Sequence, residues 1–174
     1  MADRYIIDSN VFIQGKNFHY HFSFCEGFWD WVHEGHDKGL VFSIGKVRAE
    51  LAAGKKGDEA RQWAEEMPDG FFLDDVRDPQ VMAAYTDVMN WAKADKHYQQ
   101  AALTRFADAK RADAFLLAQA RAHGTIVVTQ ELSQPEKRKE VPIPDAAKKI
   151  GGIKTITIFD LLKTHARPTF VFKL

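Results

Sequence analysis

The chain has 174 residues, of which 45% are hydrophobic and 28% are charged, proportions typical of a globular domain and not of a disordered or fibrous chain. Lys and Arg together number 24, as do Asp and Glu, and this balance excludes a protein that coats nucleic acid through its overall charge. Apolar runs fall short of the roughly 20 residues that span a bilayer, so we expect no membrane-spanning role. We expect a single domain over residues 1–174.

Cysteine usage and the N-terminal sequence both favour a cytoplasmic protein. Cys25 is the only cysteine, so the chain forms no internal disulfide, which suits a reducing compartment. The first residues lead into the apolar residues 5–7 without the charged and apolar segments of a signal peptide. We therefore expect a cytoplasmic location.

Predicted strands alternate with predicted helices along the chain. Short apolar runs predict strands at residues 5–7, 40–44, 125–129 and 155–158. Helical patterns cover residues 24–36, 45–54, 58–67, 78–96 and 107–123. This alternation predicts an α/β fold, a three-layer α/β/α sandwich with a central, mostly parallel sheet. In such sheets, ligands bind in the crevice beyond the carboxyl ends of the strands.

Two segments show no clear periodicity. Residues 132–145 contain three prolines and a charged run, and we expect a loop beside the ligand crevice. The C-terminal residues 167–174 alternate weakly, which fits either an edge strand or a contact within a homodimer.

Two carboxylates follow predicted strands. Asp8 comes directly after the first strand, and Glu131 lies two residues after the third. Both side chains should therefore lie in the crevice. The alternative for Asp8 is an N-cap of the next helix, with Ser9 and Asn10 as further cap candidates.

Two more carboxylates lie on predicted helices. Asp113 precedes apolar residues at offsets of three, four and seven, which places it on the core-facing side of its helix. A buried carboxylate needs a partner, either a metal ion or an arginine such as Arg111. Glu50 lies at the edge of the apolar stripe of its helix and can lean over the end of the sheet, although a solvated glutamate is the alternative.

The four acids come from separate segments whose predicted positions converge on one crevice. Carboxylates gathered at such short range repel one another unless a cation lies among them. Ligand sets made only of oxygen select hard ions such as Mg²⁺ or Mn²⁺ over zinc. The sequence therefore predicts a magnesium or manganese site.

Four short blocks also carry a family resemblance. In chain order they are YIIDSNV from Tyr5, VRAEL from Val47, ADAFLLAQA from Ala112 and IVVTQE from Ile126. Their order and spacing resemble those of the PIN-domain nucleases. Residues 28–31 and 141–145 further resemble a PIN-like branch of unassigned function.

The resemblance implies a PIN-like fold and a metal-dependent endoribonuclease, frequently the toxin of a toxin–antitoxin pair similar to the VapC toxins. RNA would be the substrate and a protein antitoxin a partner, with Asp8, Glu50 and Asp113 as ligands of Mg²⁺ or Mn²⁺. The fourth acid of the family is commonly an aspartate, whereas this chain has Glu131. Either Glu131 or Asp145 can therefore supply the fourth ligand.

Polar residues beside these acids are candidates for contact with the substrate. They are Ser9, Asn10, Thr129, Lys46 and Arg48. The hydroxyl and amide groups can hydrogen-bond water or a phosphate, and the two cations can bind flanking phosphates. Single-stranded RNA is the expected substrate, because its splayed strands can enter a narrow crevice.

Two other functions fit parts of the pattern. An Asp after the first strand and Thr129 at the end of a later strand fit a haloacid-dehalogenase-like phosphatase. That chemistry needs a second Asp two residues after the first, where this chain has Asn10. The other alternative is a PIN-like module that binds RNA or protein without cleavage, against which the complete set of acids argues.

Overall fold

The structure is a computed structural model and describes residues 2–174. Its strands are β1 (Tyr5–Ile7), β2 (Val41–Ile44), β3 (Phe72–Leu73), β4 (Ile126–Thr129) and β5 (Thr155–Thr157). They form one sheet in the order β3-β2-β1-β4-β5, and each pair of neighbours is parallel. The predicted α/β class is confirmed, and the sheet that we expected to be mostly parallel is parallel throughout.

Helices cover both faces of this sheet and complete the predicted three-layer sandwich. They are α1 (Ser9–Gln14), α2 (Glu26–Asp37), α3 (Gly45–Ala52), α4 (Glu59–Glu66), α5 (Pro79–Ala94), α6 (Gln100–Phe106), α7 (Asp113–His123), α8 (Ile143–Ile150) and α9 (Ile158–His165). A π-helical turn, Gly15–His19, continues α1, and a 3₁₀ turn, Pro168–Phe170, lies near the C-terminus. Within residues 2–174, the helices lack the combination of length and apolar character that a bilayer crossing requires.

Burial explains why the three central strands form. Every residue of β1, β2 and β4 is buried, as expected for strands packed on both faces. Ile6, Ile44 and Val127 are fully buried, and each such side chain contributes about 1.5–3 kcal/mol when it leaves water.

The order of the strands places a crevice between β1 and β4. The chain proceeds outward from β1 through β2 to β3 and then returns to the other side of β1 to form β4. Ligands of parallel sheets bind where the strand order reverses in this way. The carboxyl ends of β1 and β4, followed by Asp8 and Glu131, border this point.

One predicted helix is wrong at its start. Residues 107–112 form a turn in which the Asp108 side chain accepts a hydrogen bond from the Lys110 N–H group (2.9 Å). The helix α7 therefore begins at Asp113, and this residue lies in the first turn and not on an interior core stripe.

The two segments without clear periodicity, residues 132–145 and 167–174, adopt different structures. The expected loop extends as far as Pro142, after which α8 begins. The C-terminal segment forms an isolated antiparallel bridge between Ala166 and Phe172, and not an edge strand of the sheet. Phe172 is buried and its ring stacks on that of Trp31, with 5.3 Å between centroids.

The contact of α2 with β2 and the C-terminal segment leads to the first prediction. A Cβ atom added at Gly35 would lie 2.6 Å from Val41 Cγ2 and 2.7 Å from Phe172 Cε2. We expect Gly35→Ala to lower the free energy of unfolding by about 1–3 kcal/mol, because an overfilled core must shift. Urea unfolding followed by circular dichroism measures this change.

Gly27 in the same helix provides the matched control. A Cβ atom there would lie 3.6 Å or more from its neighbours, so Gly27→Ala should be neutral or stabilise by up to about 1 kcal/mol. Equal effects of the two substitutions would contradict the close packing at Gly35.

Candidate active site

Asp8 is buried at the end of the central strand. Its N–H group donates to the Val128 carbonyl oxygen (2.9 Å) and so extends the pairing of β1 with β4. The side chain is 2% exposed, and its Oδ2 accepts a hydrogen bond from Thr129 Oγ1 (2.9 Å). Asp8 occupies the N-cap position of α1, but its carboxylate makes no capping hydrogen bond. The capping alternative for this side chain is therefore wrong.

The electrostatic surroundings of Asp8 are unfavourable for a negative charge. Burial is the largest cause that raises its pKa, from 3.8 to about 8, and the charges of Asp113, Glu131 and Glu50 act in the same direction. The hydrogen bond from Thr129 opposes the shift. The four acids that the sequence predicted to converge are thus close enough to influence one residue.

Glu50 joins two segments of the site. Its Oε2 accepts a hydrogen bond from Ser9 Oγ (2.5 Å), and its Oε1 accepts one from the Ala112 N–H group (2.9 Å). Ala112 is the N-cap residue of α7, so Glu50 provides an acceptor for an N–H group at the start of that helix. The alternative of a solvated glutamate is wrong.

Asp113 is paired with an arginine. Its Oδ2 lies 3.0 Å from Arg111 Nη2, and its side chain is 15% exposed. The salt bridge with Arg111, which was the alternative to a metal ion, is present in the structure. Asp113 thus has the partner that we expected for its carboxylate, although it does not lie on the core-facing side of the helix.

Glu131 is tied to the start of α8. Its Oε2 accepts a hydrogen bond from the N–H group of Ile143, the first residue of that helix (2.6 Å). Burial raises the pKa of Glu131, the Ile143 hydrogen bond lowers it, and Asp113 raises it further. The net pKa shift is upward.

Asp145 has a different environment from Glu131. It is 4% exposed, and its two carboxylate oxygens accept hydrogen bonds from Ser133 Oγ (2.5 Å) and the Gln134 N–H group (2.7 Å). These hydrogen bonds connect the Asp145 carboxylate to the loop that follows Glu131. Of the two candidates for the fourth acid, Glu131 is the one whose charge acts on Asp8.

The predicted polar residues near Asp8 form a connected network. Ser9 Oγ lies within hydrogen-bonding distance of both Asp8 Oδ1 (3.4 Å) and Glu50 Oε2 (2.5 Å). Asn10 Nδ2 donates to Thr129 Oγ1 (3.1 Å), and Asn10 Oδ1 accepts from the backbone N–H group after Thr129 (3.1 Å). These groups hold the acids and the ends of β1 and β4 in place.

The two predicted cations near Glu50 lie over aromatic rings. Lys46 Nζ lies 4.9 Å from the ring centre of Phe115, and the Arg48 guanidinium lies 5.7 Å from that of Phe72. The backbone of Lys46 is also fixed, because its N–H group donates to Asp75 (2.6 Å).

A cleft beside the acids contains a basic residue that the sequence analysis did not identify. Its volume is about 300 Å³, and its lining includes Asp113, Glu131, Arg111 and Arg105. Arg105 lies on α6, a helix that the hydrophobic pattern did not predict. A second cleft of about 290 Å³ also borders Glu131 and continues toward α1.

The donor chemistry of the cluster suits a hard divalent cation, since it consists only of carboxylate oxygens. The oxygens do not form a closed coordination shell, however. Across residues 2–174, the structure holds no set of three or more Asp, Glu, His or Cys side chains arranged to bind one ion. Arg111 binds one oxygen of Asp113, and the Ile143 N–H group binds one oxygen of Glu131. A cation shared by these side chains would compete with these partners or bind through the second oxygen of each carboxylate.

Fold and site together define an α/β protein with four carboxylates gathered near the point where the order of a parallel sheet reverses. The chain belongs to the family described as "Domain of unknown function (DUF4411)", whose model matches residues 5–169. Comparison with curated proteins gave no match, and comparison with solved structures gave none either.

The buried carboxylate of Asp8 leads to a prediction about pH. Its pKa is about 8 in the folded protein, against an ordinary value of 3.8, so the folded state binds the carboxyl proton more tightly than the unfolded state does. The resulting stabilisation is complete below pH 4 and is lost as the pH rises through 8. We expect the free energy of unfolding of metal-free wild type to fall relative to Asp8→Asn by roughly 2–5 kcal/mol over this range.

Urea unfolding in a chelating buffer at several pH values measures the difference between the two proteins. Asp30→Asn, which changes an exposed aspartate of α2, is the control and should follow the wild type. A constant difference between wild type and Asp8→Asn would show that Asp8 ionises normally in the folded protein.

Proposed function

We propose that this protein is a metal-dependent endoribonuclease of the PIN-domain type that hydrolyses RNA phosphodiester bonds. Asp8, Glu50, Asp113 and Glu131 would hold Mg²⁺ or Mn²⁺. The observation that carries the proposal is the burial of Asp8 at the point where the strand order reverses, with three further carboxylates acting on it.

The burial of Asp8 argues for a function because the arrangement destabilises the metal-free protein. A carboxylate that is buried among other carboxylates is unfavourable as an anion, and the apolar strand before it could accept an uncharged residue instead. A cation bound in the cluster would offset this repulsion. Three of these acids, Asp8, Glu50 and Asp113, are the ones that match the metal ligands of PIN-domain nucleases in the resemblance, and Glu131 stands where that family commonly has an aspartate.

A bound divalent ion would supply Lewis acidity, which activates water near neutral pH and offsets the charge that develops on a phosphate under attack. The protein would orient the carboxylate oxygens that bind the ion. Thr129 fixes one oxygen of Asp8, and Ser9 links Asp8 to Glu50. Such hydrogen bonds hold ligand oxygens in a defined direction and so support both affinity and rate.

The surroundings of the acids favour a single strand of RNA as the substrate. The two clefts that meet at Glu131 have volumes of about 300 and 290 Å³. Their charged lining consists of the basic residues Arg105, Arg111 and Lys137 and the acids Asp113, Glu131 and Glu140. An extended strand can place its phosphates along such a path, whereas a duplex hides its bases and is broader.

The biological setting is part of the same proposal. The resemblance to VapC-like toxins suggests a toxin of a toxin–antitoxin pair that acts in the cytoplasm, with a protein antitoxin as partner. A homodimer is a further proposal of this kind. Light scattering of the purified protein, and co-purification with the product of a neighbouring gene, test these two partners.

Cleavage of mixed RNAs with and without Mn²⁺ tests the activity. We expect Mn²⁺-dependent cleavage by the wild type and a loss of at least about 100-fold in Asp8→Asn, because removal of a metal ligand exceeds the usual effect of disturbing its supporting groups. Mn²⁺ should also raise the melting temperature of the wild type but not that of Asp8→Asn. Asp30→Asn is the control that should retain both effects.

Other outcomes identify the competing functions. Hydrolysis of a generic aryl phosphate, without RNA cleavage, would favour the haloacid-dehalogenase-like phosphatase. RNA binding without cleavage across varied RNAs in Mn²⁺ would favour the non-catalytic PIN-like module. Full nuclease activity in Asp8→Asn would reject the site.

The two candidates for the fourth ligand can be separated by two substitutions. Glu131→Gln keeps an acceptor for the Ile143 N–H group, so we expect weaker Mn²⁺ binding with an intact fold. Asp145→Asn should lower the free energy of unfolding by about 1–3 kcal/mol, because two hydrogen bonds to a buried carboxylate are disturbed, and should leave Mn²⁺ affinity unchanged. Calorimetric Mn²⁺ titration and urea unfolding of both variants measure these effects, and the reverse pattern would make Asp145 the ligand.

A further inference from the structure

Arg111 extends into the acidic cluster. Its Nη2 lies 3.0 Å from Asp113 Oδ2. The guanidinium therefore neutralises one of the four proposed metal ligands by direct contact, and it lines the same cleft as a second one, Glu131.

The backbone of Arg111 is fixed, whereas its side chain borders open space. The Arg111 N–H group donates to the Asp108 carbonyl oxygen (2.9 Å) within the turn before α7. The side chain is 44% exposed and lines the cleft of about 300 Å³ together with Arg105. Its guanidinium can consequently exchange partners without a change in the fold.

We propose that Arg111 is a positioning residue with two alternative partners. In the metal-free protein it neutralises Asp113, and with metal and RNA present it binds a phosphate of the substrate in the adjoining cleft. This inference rests on the proposed nuclease function. In it, the Arg111 side chain couples metal binding to substrate binding.

The exchange follows from charge and geometry. Asp113 Oδ2 accepts a hydrogen bond from the guanidinium, so a cation that binds this oxygen competes with Arg111 for it. A guanidinium that remained there would also repel the cation. A phosphate in the cleft offers the released guanidinium a planar pair of acceptor oxygens, a geometry that arginine binds well.

Substitutions of Arg111 should therefore change metal and RNA binding in opposite directions. In a calorimetric Mn²⁺ titration without RNA, we expect Arg111→Met to bind Mn²⁺ roughly tenfold more tightly than the wild type, since a competing positive charge is gone. In Mn²⁺-dependent RNA cleavage, the same variant should show a KM raised roughly tenfold, because a phosphate contact is lost.

Two control variants distinguish charge from shape and position. Arg111→Lys retains the positive charge and should bind Mn²⁺ with nearly the wild-type affinity. Arg105→Met removes a cation that lines the same cleft, whereas the Asp113 carboxylate pairs with Arg111, so this variant should leave Mn²⁺ affinity unchanged.

Each result bears on a different proposal. If the wild type binds Mn²⁺ and Arg111→Met binds it no more tightly, the role of Arg111 is overturned while the nuclease proposal stands. Weaker Mn²⁺ binding by Arg111→Met, together with a lower free energy of unfolding, would assign Arg111 to structural support and also overturn the inference. A wild-type protein that binds no Mn²⁺ overturns both.

Discussion

The carboxylate of Asp8, buried between the ends of β1 and β4, is the constraint on which the rest of the site depends. The backbone cannot withdraw, because the Asp8 N–H group continues the pairing with Val128. The side chain cannot reach bulk water, since it is 2% exposed and is held by Thr129. The groups around Asp8 therefore interact either with the negative charge of its carboxylate or with the proton that neutralises it.

The neighbouring acids serve the fold as well as the candidate chemistry. Glu50 accepts a hydrogen bond from the N-cap residue of α7, and Glu131 accepts one from the first residue of α8. The N-terminus of a helix presents unpaired N–H groups and a partial positive charge, which carboxylates satisfy. The arrangement of the helices and the arrangement of the acids are consequently parts of one hydrogen-bonded system.

Local patterns in the sequence predicted four strands, β1, β2, β4 and β5, and the helices α2, α3, α4, α5 and α7, but not the two-residue strand β3 or the short helices α1, α6, α8 and α9. Buried apolar strands predicted the parallel sheet, and the positions of Asp8 and Glu131 after two of them predicted the crevice. The start of α7 was wrong because the apolar pattern continues through a turn that the Asp108 side chain stabilises. The different surroundings of Glu131 and Asp145 could not be predicted from the sequence, since they depend on hydrogen bonds between residues 12 positions apart, such as that from Ser133 to Asp145.

The double role of Glu50 affects how natural variation in this family should be interpreted. A relative without the proposed catalysis would still be under selection to keep a glutamate at this position, because the residue joins Ser9 to the start of α7. Asp8 is under the opposite pressure, since an uncharged replacement would relieve electrostatic repulsion once no cation had to be bound. If the proposal is correct, substitution of Asp8 with Glu50 unchanged would therefore mark the lineages that have lost the proposed metal-dependent chemistry.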